Sequence, residues 1–155
     1  PAGVRRYLLG VYDEQWVEPV AAALLANRAI KAWVVHGSDG LDEITTTGPS
    51  HIAQIDGGSL TTFQITPEQY GLSRATLDDL RGGDPVDNAR AMTALLDGAP
   101  GAYRDIVLLN SAAGLFVADR VDTIETGIAV ARDAIDSGKA KNTLARLVAV
   151  SNGRD

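Results

Sequence analysis

Three carboxylates, Asp39, Asp42 and Glu43, lie within five positions in the segment formed by residues 36–43. Glycines in the same segment permit tight backbone turns that other residues resist. Magnesium is a hard cation that proteins hold with one or two carboxylates and share with substrate phosphates. The segment is therefore a candidate magnesium–phosphate site. A solvated acidic loop that turns at its Asp-Gly step is the alternative that residue types alone leave open.

A strand–helix–strand pattern precedes this segment and determines where it lies. Residues 7–12 form a short apolar run that predicts a buried strand, and Asp13 then stands in the position of an N-cap. Apolar pairs recur every four residues after it, as on one face of a helix, and Pro19 predicts either a kink or the first turn. Residues 30–36 predict a second strand, at a spacing that fits a crossover between parallel strands. The acidic segment then follows the carboxyl end of a strand, where open α/β sheets bind ligands.

The remainder of the chain predicts a hairpin and then helices. Asp56-Gly57-Gly58 separates two β-like runs, and Asp84-Pro85 has the residue types of an N-cap and a first helical residue. Helices are predicted over residues 85–96, 102–118, 121–135 and 139–150, the last with Leu144, Leu147 and Val148 facing inward. We therefore predict an α/β fold, as one domain over residues 1–155. It should contain a mostly parallel sheet flanked by helices, a hairpin and a helical C-terminal half.

Composition restricts the class of protein. The formal net charge is -6, the sequence pI is about 4.8 and the basic residues are scattered, so a nucleic-acid-binding face is not expected. No apolar run approaches the roughly 18 residues of a membrane-spanning helix, and we expect neither membrane association nor a signal peptide. The absence of cysteine excludes disulfides and fits a cytoplasmic protein. The sequence begins with Pro1 instead of Met, so we expect the chain to be a piece of a longer gene product or a processed one.

Several single residues receive structural interpretations. His36, at the end of a strand, is expected to be a hydrogen-bonded rim residue, and His51, on the hairpin, is expected to be exposed. Asn110 lies in an apolar helix and is expected to satisfy buried backbone groups. Gly138 stands at a helix boundary and is interpreted as a C-terminal capping glycine, not as part of a phosphate loop.

The string HGSDGLDEITTTGP, residues 36–49, closely resembles the acidic motif of anthranilate phosphoribosyltransferases. Other stretches resemble that family in the same order: GVRR before YLLGVY, ITPE with YGL, LRGGD with NA, YRD with VLLN, and AIDSGKA. The resemblance covers essentially the whole chain, and the combination of the acidic motif, GGD-x-x-x-NA and VLLN makes it specific.

This resemblance implies a fold and a reaction. The fold is that of a nucleoside phosphorylase/phosphoribosyltransferase-like C-terminal α/β domain. Members of the family transfer the phosphoribosyl group of phosphoribosyl pyrophosphate to anthranilate in tryptophan biosynthesis, release pyrophosphate and use Mg²⁺. By resemblance, Asp42 and Glu43 match the acidic pair that holds one magnesium, which neutralises charge on the leaving pyrophosphate.

Other motifs of the family are absent from this sequence. Its glycine-rich GTGGD loop, its KHGNR motif and its anthranilate-binding arginine all lie upstream of the position that matches Pro1. The resemblance therefore implies half of a site. No catalytic residue is assigned in this chain, substrate-binding residues stay unassigned, and the chain alone is expected to be inactive. It also implies that the full-length protein is a homodimer, formed through an N-terminal helical domain.

Two alternatives stay open. A pyrimidine nucleoside phosphorylase has the same overall fold, and the DGLDE string argues against it. A non-catalytic relative that binds nucleic acid or a partner protein is the other. The net charge of -6 argues against nucleic acid, and the intact acidic pair argues against loss of the metal site.

Overall fold

A computed structural model describes residues 3–153, and Pro1 lies outside them. Its strands are β1 (Arg6–Gly10), β2 (Lys31–Gly37), β3 (Ser50–Asp56) and β4 (Ser59–Ile65). Its helices are α1 (Val17–Ala26), α2 (Pro85–Leu96), α3 (Ala102–Val117), α4 (Ile124–Asp136) and α5 (Lys139–Ser151). Short 3-10 turns cover Glu14–Trp16, Pro67–Tyr70 and Asp78–Leu80. The predicted succession of strands first and helices later is confirmed.

The four strands form one sheet in the order β1-β2-β3-β4. The predicted α/β class is confirmed, but the prediction of a mostly parallel sheet is wrong for these strands. The β1–β2 pair is parallel, whereas β2–β3 and β3–β4 are antiparallel. The reason lies in the connections. Helix α1 carries the chain back across the sheet between β1 and β2, while the later connections contain no crossover helix and reverse the chain locally.

Helices cover both faces of the sheet, and strand β2 is buried along its whole length. Its alternating side chains enter two separate cores. Ala32 and Val34 pack on the side of α1, whereas Trp33 and Val35 pack with residues of α3 and α4. A strand with apolar residues on both faces is the central element of such a layered fold. The end of β2 is therefore a rigid place from which to begin a functional loop.

Local signals explain where several elements begin and turn. Asp13 accepts a hydrogen bond from the Gln15 backbone N–H at 3.0 Å, so it is an N-cap as predicted, but of the 3-10 turn Glu14–Trp16 that leads into α1 and not of α1 itself. Pro19 is the third residue of α1, within the first turn, where a backbone N–H has no helical partner. The hairpin is also confirmed, because Gly57 and Gly58 both have positive φ, at 56° and 86°.

The helical half begins at the predicted cap. The Asp84 carboxylate accepts hydrogen bonds from the backbone N–H groups of Val86 and Asp87 at 2.8 and 2.9 Å. Helices α3 and α4 then approach closely at Gly127, where an added Cβ would lie 2.8 Å from both Cα and Cβ of Ala112. Glycine is required at that position by the helix–helix contact.

The predicted inward face of α5 is wrong. Leu147 and Val148 are 64% and 52% exposed, Leu144 is only partly buried, and α5 has no fully buried residue. Periodicity predicts which face of a helix is apolar, but it does not show what packs against that face. Within the described residues, α5 packs mainly on α4 and α2. None of the helices among residues 3–153 is long and apolar enough to cross a membrane.

Candidate magnesium and phosphate site

The acidic segment forms a loop between β2 and β3, at the carboxyl end of the parallel pair β1–β2. The two strand ends stay joined beyond the ladder, because the Val11 backbone N–H donates to the Val35 carbonyl at 2.9 Å. Nδ1 of His36 donates to the Val11 carbonyl at 2.9 Å, and the residue is only 8% exposed. The interpretation of His36 as a hydrogen-bonded rim residue is therefore confirmed. The site lies at the edge of the sheet where α/β proteins bind ligands.

Asp39 holds the loop together from inside. Its Oδ2 accepts hydrogen bonds from the hydroxyls of Thr45 and Thr47, both at 2.6 Å, and its Oδ1 accepts from the Leu41 backbone N–H at 3.2 Å. Burial opposes ionisation of this carboxyl, but the hydrogen bonds outweigh it and hold the pKa of Asp39 below its ordinary value. Because both of its oxygens are engaged within the loop, Asp39 is a structural residue and not a free metal ligand.

Backbone contacts close the loop at its base. The Ser38 backbone N–H donates to the Pro49 carbonyl at 3.0 Å, and the Thr45 backbone N–H donates to the Ser50 hydroxyl at 2.9 Å. Gly37 is equally constrained, since an added Cβ would lie 2.6 Å from Oδ1 of Asp39. The hydrogen bonds at the base of the loop and the close packing around Gly37 therefore limit the movement of the loop.

Helix α3 anchors the middle of the loop through Asn110. The Ile44 backbone N–H donates to Oδ1 of Asn110 at 3.0 Å, and Nδ2 of Asn110 donates to the Ile44 carbonyl at 2.8 Å. The prediction that Asn110 satisfies buried backbone groups is confirmed. Ile44 itself is fully buried in the core shared by the sheet and α3. The residue that follows the acidic pair is thus fixed by its side chain and by both of its backbone polar groups.

The end of β1 limits the loop from the other side, at Gly10. An added Cβ on Gly10 would lie 1.5 Å from the Asp42 carbonyl oxygen and 2.4 Å from the Asp42 carbonyl carbon. Only glycine therefore permits the Asp42 backbone to occupy its position. Sequence reasoning missed this contact, because the signal for it was only a glycine at the end of a strand.

Asp42 and Glu43 lie in irregular bends and both are exposed. Among residues 3–153, neither carboxylate has an ion-pair partner. The described part of the chain also contains no group of three or more His, Cys, Asp or Glu residues placed to hold a metal ion. A structural zinc site, with its four protein ligands, does not fit this arrangement. Two free carboxylates on a fixed backbone do fit Mg²⁺, which takes its other oxygens from water and substrate phosphates.

Two further sequence predictions have different outcomes. His51, predicted to be exposed, is instead partly buried: its side chain is 22% exposed, and Nδ1 lies 2.8 Å from Oε1 of Glu14. Glu14 belongs to the 3-10 turn before α1, so this contact joins that turn to β3 at His51. Gly138 follows Ser137, the C-cap of α4, and has a φ of 76°; its N–H donates to the Ile135 carbonyl at 2.9 Å. Its interpretation as a C-terminal capping glycine is confirmed.

Comparison with known proteins agrees with this architecture. Residues 1–141 match the family described as the glycosyl transferase family, a/b domain. The chain is 57% identical to the anthranilate phosphoribosyltransferase of Parvibaculum lavamentivorans, over all of this chain and 46% of that protein. The chain therefore spans about half the length of the curated relatives it matches.

Solved structures show the same relationship. The crystal structure of anthranilate phosphoribosyltransferase from Thermus thermophilus is 37% identical, with a TM-score of 0.86 over 96% of this chain and 44% of that chain. The Saccharomyces cerevisiae enzyme, in complex with PRPP and Mg, is 29% identical, with a TM-score of 0.79 over 89% of this chain and 40% of that chain. With a family match over residues 1–141 and a shared fold, the chain belongs to the glycosyl transferase family, as its a/b domain.

Proposed function

We propose that this chain supplies the magnesium-holding part of an anthranilate phosphoribosyltransferase. The observation that carries the proposal is the pair Asp42 and Glu43, which is exposed at the carboxyl edge of the parallel strands on a loop with a fixed backbone. The similarity to anthranilate phosphoribosyltransferases over essentially the whole chain supports the same function. Transfer of the phosphoribosyl group of phosphoribosyl pyrophosphate to anthranilate, a step of tryptophan biosynthesis, is the proposed reaction.

In this proposal Asp42 and Glu43 hold Mg²⁺ through their carboxylate oxygens. When bound, the ion supplies positive charge that stabilises the negative charge growing on the departing pyrophosphate. The chain's other contribution is position. Asp39, Asn110 and Gly10 determine the path of the loop backbone, so that the two carboxylates need little reorganisation to meet a metal–phosphate group. No residue of this chain is proposed as a nucleophile or as a proton donor.

The remainder of the site is proposed to lie in the part of the enzyme that this chain does not span. We expect the isolated chain to form one α/β domain and to show no anthranilate transfer. The complete enzyme is proposed to act in the cytoplasm as a homodimer.

A full-length enzyme tests this function directly. It can be assembled by placing this chain in the matching segment of the P. lavamentivorans relative, which is 57% identical. We expect Mg²⁺-dependent anthranilate transfer by the assembled enzyme. The double substitution Asp42→Asn with Glu43→Gln should lower kcat/KM by about 100-fold or more, the usual effect of removing a charge-stabilising group.

A matched control separates the site from overall charge. Asp122→Asn with Glu125→Gln makes the same charge change at two exposed positions near the start of α4 and should leave transfer unchanged. Undiminished transfer by the Asp42→Asn, Glu43→Gln enzyme would show that the metal assignment is wrong. A folded assembled enzyme that cleaves pyrimidine nucleosides with phosphate, and does not transfer to anthranilate, would favour the nucleoside phosphorylase alternative.

A further inference from the structure

Asn110 uses its whole side-chain amide on backbone groups. Its Oδ1 accepts from the Ile44 N–H at 3.0 Å, and its Nδ2 donates to the carbonyls of Ile44 at 2.8 Å and Ile106 at 3.0 Å. One bond stays within α3, whereas the other two cross to the acidic loop, 66 residues away in the sequence. The amide therefore ties the helix to a single residue of the loop.

Ile44 directly follows Glu43 in the chain, so a hydrogen bond to the backbone of Ile44 also restrains the backbone of Glu43. A peptide unit is planar, so the Ile44 N–H and the Glu43 carbonyl belong to one rigid plane. The hydrogen bond from the Ile44 N–H to Oδ1 of Asn110 fixes the orientation of that plane. On the other side of Glu43, the plane that contains the Asp42 carbonyl is confined by Gly10. With the planes on both sides held, little freedom remains for the backbone dihedrals of Glu43.

We propose that Asn110 is a positioning residue for the metal-holding pair. This inference rests on the proposed function. Ile44 is fully buried in the main core, so its side chain stays docked without the amide. The Asn110 amide additionally fixes the orientation of the peptide plane between Glu43 and Ile44. Loss of Asn110 should therefore disturb magnesium use more than it disturbs folding.

The chain offers a matched control in Asn88. Its amide makes the same two kinds of bond to one residue: the Gly83 N–H donates to Oδ1 at 2.9 Å, and Nδ2 donates to the Gly83 carbonyl at 3.1 Å. Asn88 lies on α2, and its partner Gly83 is just before the start of that helix, not in the acidic loop. Asn88→Ala therefore removes the same two kinds of hydrogen bond, at a more exposed place, without touching the loop.

The experiment titrates Mg²⁺ into the assembled full-length enzyme in the presence of phosphoribosyl pyrophosphate. It records the calorimetric binding of the metal and, separately, the rate of anthranilate transfer, and each gives a half-saturating Mg²⁺ concentration. Asn110→Ala should raise the half-saturating Mg²⁺ concentration by about 10- to 100-fold, as loss of outer-shell partners does in metal sites. Excess Mg²⁺ should restore most of the rate. Asn88→Ala should leave the half-saturating concentration unchanged, even where it lowers Tm.

Asn110→Asp provides a second variant with a readout of its own. When protonated, the new carboxyl can still accept from the Ile44 N–H and donate to one carbonyl. When ionised, it faces the carbonyl oxygens of Ile44 and Ile106, which repel it. The half-saturating Mg²⁺ concentration of this variant should therefore rise with pH. The same quantity should not show this rise in the unsubstituted enzyme. If Asn110→Ala fails to fold, this pH profile decides the question.

The outcomes distinguish this inference from the proposed function. An unchanged Mg²⁺ requirement in Asn110→Ala, or in Asn110→Asp at every pH, overturns the positioning role. The proposed function then stands as long as the Asp42→Asn, Glu43→Gln enzyme is impaired. If that double variant is unimpaired as well, the metal assignment fails first and the positioning role fails with it.

Discussion

Gly10→Ala tests whether the backbone position of the acidic pair matters for activity, beyond its charge. The added Cβ would lie 1.5 Å from the Asp42 carbonyl oxygen. A carbon and a carbonyl oxygen tolerate a contact of about 3.3 Å, so the carbonyl must retreat by about 2 Å. The contacting atom belongs to the backbone, and no side-chain rotation can relieve the clash. The displacement must therefore be absorbed by the strand end, by the loop, or by both.

The expected loss follows from this displacement. A misplacement of about 1 Å in a preorganised site can cost about 100-fold in rate, equivalent to about 2.7 kcal/mol of transition-state stabilisation. We therefore expect kcat/KM of the assembled full-length enzyme to fall by at least about 100-fold in Gly10→Ala. The half-saturating Mg²⁺ concentration should rise at the same time, because the carboxylates move with their backbone.

The assay is Mg²⁺-dependent anthranilate transfer, run below the Tm of each variant. Gly114→Ala is the control, since an added Cβ there meets nothing within 4 Å. It should leave kcat/KM and the Mg²⁺ requirement unchanged. The reasoning is refuted if Gly10→Ala folds and retains the unsubstituted kcat/KM and Mg²⁺ requirement, because a shifted backbone would then be without consequence.

Three further changes test other parts of the structure. Gly127→Ala should lower the free energy of unfolding in urea by about 1–3 kcal/mol relative to Gly114→Ala, because both substitutions gain helix propensity but only the first overpacks α3 against α4. Asp39→Asn should flatten the acid side of a Tm–pH profile: the depressed folded pKa of Asp39 gives stability that is present above the ordinary value of 3.8 and lost as pH falls through the folded value. An equally steep acid side in both proteins would contradict this reasoning. Asp84→Ala should cost about 1 kcal/mol in urea unfolding by removing the N-cap of α2, and an unchanged midpoint would contradict that role.

The sequence predicted local structure correctly where residues close together in the chain determine that structure. Asp84 and Pro85 predicted the start of α2, and the Gly57-Gly58 turn predicted the hairpin. In each case the determining interaction lies within three residues along the chain. The sheet was harder to predict. The β1–α1–β2 crossover implied parallel strands, but β3 and β4 pair antiparallel, because no helix connects them across the sheet.

Long-range contacts lay beyond the sequence patterns. Asn110 was correctly expected to bind buried backbone groups, but no pattern indicated that its partner would be Ile44. The contact of Gly10 with Asp42 was likewise invisible, because it exists only once β1 and the loop have been brought together. For Leu147 and Val148 the sequence pattern correctly predicted a helix, but it did not predict whether the apolar face would be buried. Within the described residues both side chains stay exposed.

These contacts change how the acidic pair is understood. Neighbouring residues on an extended strand point to opposite sides, so an Asp-Glu step in a strand could not direct both carboxylates to one ion. The structure places the step in bends, after a strand that is buried on both faces and before a fully buried Ile44. The bend keeps its shape through contacts from β1, from α3 and from Asp39 inside the loop. A magnesium ion that takes most of its oxygens from phosphate and water needs few ligands from the protein, and those few must be well placed. In the proposed site, Asp42 and Glu43 can meet that need because two distant parts of the chain, the end of β1 and helix α3, hold their backbone together with Asp39 inside the loop.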